Sequence, residues 1–267
     1  MKFLKRLYAI LILLFLYLPM FTLVVLSFNK SKSRAKWGGF SLKWYQALFQ
    51  DSIMMKVLVT TLLIALISSV VACVIGTIAA IAMNKMKAFS RNTLMGITNI
   101  PMLNADIVTG ISLMLLFLFF KAKFGFRFGT VSILLSHITF NIPYVILSVM
   151  PRIKKMNPSN YEAALDLGAT PIYAFFKVIL PDIWPGVLSG FLMAFTMSLD
   201  DFIITYFTKG SGVDTLSTKI YAQVKKGISP EMYALSTLIF ISVLVLLILI
   251  NTLPSGSRNK DEKKSAL

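Results

Sequence analysis

Charge is what this 267-residue sequence has least of: 14% of its residues are Asp, Glu, Lys or Arg, against 57% that are hydrophobic. Soluble domains carry about a quarter charged residues because their surfaces face water, so a chain this apolar belongs in a bilayer. Cysteine is nearly absent. The single one, Cys73, allows no intrachain disulfide and says nothing of redox compartment; in its apolar segment it reads as a small packing residue. The only histidine, His137, supports neither a relay of imidazoles nor a metal site by itself, and packing is its expected role. No G-x-x-x-x-G-K-[ST] run occurs, so the glycines at 210 and 212 form no phosphate cradle and the chain does not hydrolyse ATP itself. Acidic residues are scarce as well, 11 against 27 basic ones. That excess would suit a nucleic acid, but the Lys and Arg residues are scattered through every loop without aromatic interleaving or a nucleic-acid module. They read instead as flanks beside anionic headgroups, and nucleic acid is not an expected partner.

What the sequence does have is long apolar runs. Segments near 7–28, 57–83, 94–120, 130–150, 184–207 and 233–253 each reach the length a spanning helix needs, about 20 residues, with polar stretches between them. No loop is long enough to fold separately, which predicts an all-α integral membrane protein with six transmembrane helices in one domain over 1–267. The first segment follows "MKFLKR" like a signal peptide, but it is too long for one and no small-x-small site follows; a retained helix, bent near Pro19, is expected. In the third segment "NIPMLNADIVTG" sets Pro101, Asn104, Asp106 and Gly110 where hydrocarbon should be continuous, which predicts a broken or re-entrant helix. Lys and Arg divide almost evenly between the two sides, so charge alone does not orient the chain.

No Lys or Arg falls inside any of the six segments, yet Asp106, Asp200 and Asp201 do. Embedded carboxylates pair with a basic group, line a wet cavity or become protonated. Inside the segments only His137 offers a cationic partner, so a compensating charge from outside the chain is expected. In "SLDDFIITYF" the adjacent Asp200 and Asp201 point about 100° apart on a helix. One should face a passage and the other a neighbouring helix, with Phe202 and Tyr206, at i and i+4, as an aromatic wall or as ordinary packing. The plainer alternative for the aspartates is structural hydrogen bonding where helices meet. "GVLSG", Gly186 to Gly190, suits close helix approach.

Between the fourth and fifth segments lies "NPSNYEAALDLGATPIYAFFKVILPDIWPG". Asn157 followed by Pro158, with Ser159 or Asn160 as cap candidates, fits a helix start, and "GATP", from Gly168 to Pro171, a stop and turn. Glu162 and Asp166 share one face, and Ala163, Ala164, Leu165 and Leu167 give small apolar surface suited to a groove on another protein. A surface helix lying among headgroups is the alternative.

The run Glu162-Ala163-Ala164, then Gly168-Ala169, then "ILPDIWPG" resembles the EAA loop of type I ABC-importer permeases. The resemblance widens with "SFN" (Ser27–Asn29), "KWY" (Lys43–Tyr45), "DIVTGISL" (Asp106–Leu113), "SHITFNIPY" (Ser136–Tyr144), "SLDDFIIT" (Ser198–Thr205), "LSTKIY" and "GISPE". In order and type these blocks look like the second, C-type permease subunit of spermidine/putrescine importers. The resemblance implies the type I permease fold with a cytoplasmic coupling helix in an EAA loop over 157–186, where Glu162 meets basic residues of an ATPase, the surface of Ala163, Ala164 and Leu165 fills its groove, Asp166 belongs to the same coupling surface, and Gly168 permits the turn. It implies both termini in the cytoplasm of a cell membrane. The implied partners are a homologous second permease subunit, a cytoplasmic ABC ATPase dimer that binds ATP and Mg, an extracytoplasmic polyamine-binding protein, and the lipid bilayer. No cofactor is expected in this chain, and Asp106, Asp200, Asp201, Phe202 and Tyr206 would line the path of a polyamine, whose separated ammonium groups and methylenes want carboxylates and aromatic faces.

Other readings keep part of this. The same architecture would serve another small cationic solute or a metal ion; an anionic cargo would want helix N-termini or basic residues instead. An intramembrane aspartyl protease would use two facing carboxylates, but the sequence has no glycine-flanked G-x-G-D motif and would leave the EAA loop without purpose. A self-sufficient cation channel would conduct without an ATPase. The basic tail, Arg258 to Lys264, reads as a solvated end.

Overall fold

The structure, a computed structural model, describes residues 2–33, 35–226 and 229–252. Its helices run in the order α1 (Lys2–Ser27), α2 (Lys43–Gln50), α3 (Ser52–Asn84), α4 (Ala88–Leu103), α5 (Asp106–Phe124), α6 (Thr130–Lys155), α7 (Pro158–Asp166), α8 (Pro171–Ala174), α9 (Leu180–Asp200), α10 (Ile203–Thr208), α11 (Leu216–Lys226) and α12 (Pro230–Thr252), with a π-helical turn at Phe175–Ile179. Among the described residues the only extended pairing is an isolated antiparallel bridge between Asn29 and Phe40. Among the described residues two packed units result, one within 1–56 and 220–252, the other over Val57–Lys219.

Five stretches of helix among the described residues are long and apolar enough to cross a membrane: Arg6–Ser27, Ser52–Asn84, Asp106–Phe124, Thr130–Lys155 and Pro171–Asp200. The sixth expected span falls on α12, and its last residue, Leu253, lies outside the described residues, as does the basic tail. Pro19 sits inside α1, and the helix continues through it. Two expected spans differ from single helices. The segment 94–120 parts at Asn104–Ala105, so the apolar helix long enough to span starts at Asp106. The segment 184–207 begins earlier, at Pro171, and ends at Asp200; after a break at Asp201–Phe202 the short α10 follows.

In the first unit, the loop after α1 is organised by one amide. Asn29 donates to the carbonyls of Lys36 (2.9 Å) and Ser33 (3.3 Å) and accepts the N–H groups of Gly38 (2.8 Å) and Ser31 (3.1 Å). Every polar atom of a nearly buried side chain is thereby satisfied. The Trp44 indole N–H donates to the Asn29 carbonyl at 2.7 Å, which ties α2 to this loop, and α12 packs against both α1 and α2.

The second unit is built on α6. Its buried Val145, Ile146, Val149, Met150 and Ile153 join Cys73, Ala80 and Met83 of α3 and Ile183, Val187 and Ala194 of α9 in one cluster. Cys73 is fully part of this core, as its apolar setting led one to expect. Close approach is set by glycines: a Cβ on Gly190 would stand 3.2 Å from the Val145 Cα, and one on Gly186 would stand 3.1 Å from the Ser148 carbonyl oxygen. Gly76 of α3 meets Val145 from the other side, at 2.8 Å from its side chain. Where lipid tails are as apolar as the side chains, such small-residue contacts supply much of the packing. Gly190→Leu is therefore expected to destabilise the unit by about 1–3 kcal/mol through overpacking, seen as a lower Tm of the purified assembly, with Gly190→Ala intermediate.

Candidate functional site

Two places in the second unit gather the residues singled out by the sequence. The first is the elbow at the end of α9. Asp200 is the last residue of that helix and is exposed, and among the described residues it has no hydrogen-bond or ion-pair partner. It stands where the unpaired carbonyls of a helix C-terminus already make the potential negative, a poor place for a carboxylate and a good one for an arriving cation. Asp201 turns the other way. Its side chain is 8% exposed, and it accepts the N–H of Ile204 at Oδ1 (3.2 Å) and, at Oδ2, the N–H of Thr205 (2.8 Å) and the Thr205 hydroxyl (2.7 Å). Those backbone donors are orphans of the first turn of α10, so the carboxylate performs the work of a cap.

Asp201 also meets His137 of α6, whose Nε2 lies 3.4 Å from its Oδ2. The ring is 1% exposed. Its Nε2 stands 2.9 Å from the Thr205 hydroxyl and its Nδ1 2.5 Å from the Ser198 hydroxyl, which in turn is 3.1 Å from the Ser68 hydroxyl of α3. The embedded charge thus has its histidine partner inside the chain. Phe202 and Tyr206 do come together, with ring centroids 5.5 Å apart, and Tyr206 is 48% exposed.

Asp106 lies on a different element. It is the first residue of α5 and is exposed, in the turn where a helix dipole favours an anion. One turn later Gly110 lets α5 press on α10, where a Cβ would stand 3.1 Å from the Phe207 ring and 3.4 Å from the Ile204 Cα. Asp106 and the elbow are therefore carried by two helices that pack on each other. Sequence reasoning passed over Ser198, Thr205 and Ser68, although the first two flank the aspartate pair. Gly210, a few residues on, allows close approach to the Phe128 carbonyl, and Gly212 takes φ +83° in a turn.

The second place is the loop around α7. The cap is Asn157, which accepts the N–H of Ser159 at 3.1 Å, and not Ser159 or Asn160, which lie inside the helix because Pro158 already occupies its first position. The far end closes with two carbonyl bonds, Ala169 N–H to Ala164 at 3.1 Å and Gly168 N–H to Leu165 at 2.9 Å. This is the Schellman pattern, and Gly168 takes the left-handed φ of +87° that it requires. Thr170 then caps α8, accepting the N–H of Tyr173 at 3.3 Å. Glu162, Ala163 and Asp166 are exposed, and Ala164 and Leu165 are half-buried. Leu167 is 89% exposed and Ile172 73%. An open concavity of about 520 Å³ is lined by Ala164, Leu167, Gly168, Ala169, Thr170 and Tyr173, apolar surface that calls for a partner. On its other side Tyr161 packs on the core, with the Lys85 ammonium 6.0 Å from its ring centroid.

Residues 72–258 match the family model described as "binding-protein-dependent transport system inner membrane component". The chain is 40% identical over 228 residues to the putrescine transport system permease protein PotI of Escherichia coli K12, covering 84% of this chain and 81% of that one. It is 34% identical over 247 residues to the spermidine/putrescine transport system permease protein PotC of Haemophilus influenzae, covering 92% and 95%, and 34% identical over 253 residues to the PotC homolog of Mycoplasma genitalium, covering 90% and 87%. Among solved structures, a bacterial ABC transporter that imports the acidic polysaccharide alginate superposes with a TM-score of 0.68 at 19% identity, covering 94% of this chain and 96% of that one. At that identity the match speaks for the fold alone, that of type I ABC-importer permeases.

Proposed function

The chain belongs to the inner-membrane-component family of binding-protein-dependent transport systems, a permease rather than an enzyme, and from that premise we propose that it forms half of the membrane passage of an ATP-driven polyamine importer. The observation that carries the cargo is the likeness, over more than four fifths of the chain, to permeases named for putrescine and spermidine. The exposed Asp200 beside the Phe202–Tyr206 pair fits such a cargo: a carboxylate for the ammonium group and aromatic faces for the cation and its methylenes. Asp106, on the neighbouring helix, gives a second carboxylate for the separated second charge.

The loop around α7 is the coupling element in this reading. Its exposed Glu162 and Asp166 face basic residues of a cytoplasmic ATPase, and Ala163, Leu167 and the adjoining concavity fill that subunit's groove. From Pro171 the helix runs on through the π turn to Asp200, 30 residues in all, a rod of about 45 Å. A push on α7 at one end is thereby delivered to the elbow at the other, which alternately opens and closes the passage. ATP and Mg are bound by the partner ATPase dimer. A homologous second permease supplies the other half of the path, and a polyamine-binding protein delivers cargo from the outer side. The coupling loop, and with it both termini, lies in the cytoplasm of the cell membrane.

The experiment is uptake of labelled spermidine and putrescine into proteoliposomes holding the chain, its partner permease, the ATPase and loaded binding protein. Uptake that needs both ATP and the ATPase supports the reading. Passive entry without the ATPase would make the chain a channel, and ATP hydrolysis without polyamine entry would send the search to another small cation.

A further inference from the structure

We infer that His137 is a positioning residue that staples the two halves of the broken fifth span, α9 and α10, and so fixes the direction in which Asp200 enters the passage. The inference rests on the reading of that passage as a cation path, and deepens it.

A helix that breaks in a membrane has to be held at its break, because the freed backbone groups find no water there. Asp201 meets the near need by taking the Ile204 and Thr205 N–H groups. That alone fixes α10 to its own entry residue and leaves its angle to α9 free. The angle is set from outside. Ser198 belongs to the last turn of α9 and Thr205 to the first turn of α10, one on each side of the break, and the two nitrogens of one imidazole reach both. The Thr205 hydroxyl gives its proton to Asp201, so its oxygen receives the Nε2–H of His137. The ring is planar and rigid, it is buried, and Phe140 stands against its edge at a centroid distance of 5.3 Å. Its backbone, α6, is locked to α9 through the close approaches at Gly186 and Gly190. Ser198 is locked further by Ser68 of α3. Asp200 is two residues from Ser198 and one from Asp201, so both of its flanks are held while its own side chain is left exposed. A histidine doing nothing more than filling core space would not need both nitrogens on opposite sides of one helix break.

The direction of position 200 can be read without any cargo. Cys73 is the only cysteine of this chain, so Asp200→Cys in a Cys73→Ala background carries one thiol in the chain, labelled in the full assembly and read on this chain after the subunits are separated. Its labelling rate with a charged, water-soluble methanethiosulfonate is compared with histidine, His137→Ala and His137→Gln at the staple; Gln keeps an N–H donor near the Nε2 position. The expected result is a change of about fivefold or more for Ala and recovery to within about twofold for Gln. In the chain that retains Asp200, His137→Ala is expected to lower polyamine transported per ATP hydrolysed by about tenfold with the ATPase rate nearly unchanged, and Gln to restore at least half. Unchanged labelling and unchanged transport per ATP in His137→Ala would overturn the staple. Loss of the assembled complex in both variants would also overturn it, since that is packing without positioning. A wild type that moves no polyamine, with labelling still shifted by His137→Ala, would sink the cargo and leave the staple standing.

Discussion

Reversing the exposed charge at the elbow, by Asp200→Lys, is expected to abolish polyamine uptake, while Asp200→Asn lowers it about tenfold or more, a loss of about 1.4 kcal/mol of favourable interaction. The reason is position. Asp200 ends α9 with its side chain exposed and unpartnered among the described residues, so the amide removes charge without removing a structural bond. A single pair of charges about 4 Å apart at an effective dielectric near 20 is worth about 4 kcal/mol, which leaves ample room for a tenfold effect and makes the reversed charge a barrier. Assembly with the ATPase and hydrolysis by it should be unchanged, since the coupling loop is at the other end of the rod. The neighbouring substitution separates the two aspartates: Asp201→Asn removes a carboxylate that holds three groups of α10, and it is expected to lower the Tm of the assembly first, with uptake falling only as folded protein is lost. Uptake assays beside thermal melts of the same preparations check both.

The second large effect is expected at the turn after the coupling helix. Gly168→Val forces a β-branched residue to φ near +87°, where even an ordinary L-residue pays about 1–2 kcal/mol and a branched one more. The turn can relieve this only by giving up the two bonds that end α7, and the concavity beside Leu167 and Tyr173 would lose its shape. Leu167→Asp attacks the same surface without strain, placing a charge on the most exposed apolar side chain of the loop. Either variant is expected to cut uptake by about tenfold or more and to weaken co-purification of the ATPase, whereas Glu162→Ala, a rim charge, weakens coupling less. Retention of the ATPase and normal uptake in Leu167→Asp would place the docking surface elsewhere.

Helix α7 was legible because its ends are written in local chemistry. Pro158 and Gly168 are a first-turn proline and a left-handed stop, each where its type predicts, whereas the cap falls on Asn157 rather than on Ser159 or Asn160. Proline and asparagine likewise marked the parting of the third span, which the structure puts at Asn104–Ala105. The elbow in the fifth span carried no such mark. "SLDDFIITYF" contains neither Gly nor Pro, and the break is held by tertiary bonds from His137 on α6 and, through Ser198, from Ser68 on α3, which no local pattern foretells. A serine and a threonine in an apolar run look like ordinary helix residues that bond back to their own carbonyls. The same span also starts earlier than its apolar run. The hydrophobic segment begins near 184, but the helix runs from Pro171 through the π turn at Phe175–Ile179, across a stretch that carries Lys177 and Asp182 and so does not read as apolar. Of the two aspartates, Asp201 is held in structural bonds and Asp200 is exposed.

The most direct test of the path is to mark where a polyamine sits. Spermidine carrying a photoreactive diazirine, bound to the wild-type assembly in proteoliposomes during ATP-driven turnover and then irradiated, should label peptides containing Asp200 to Tyr206 and the start of α5 at Asp106, with labelling removed by excess spermidine. Competable labelling confined to other segments, with the elbow unmarked, would contradict the account.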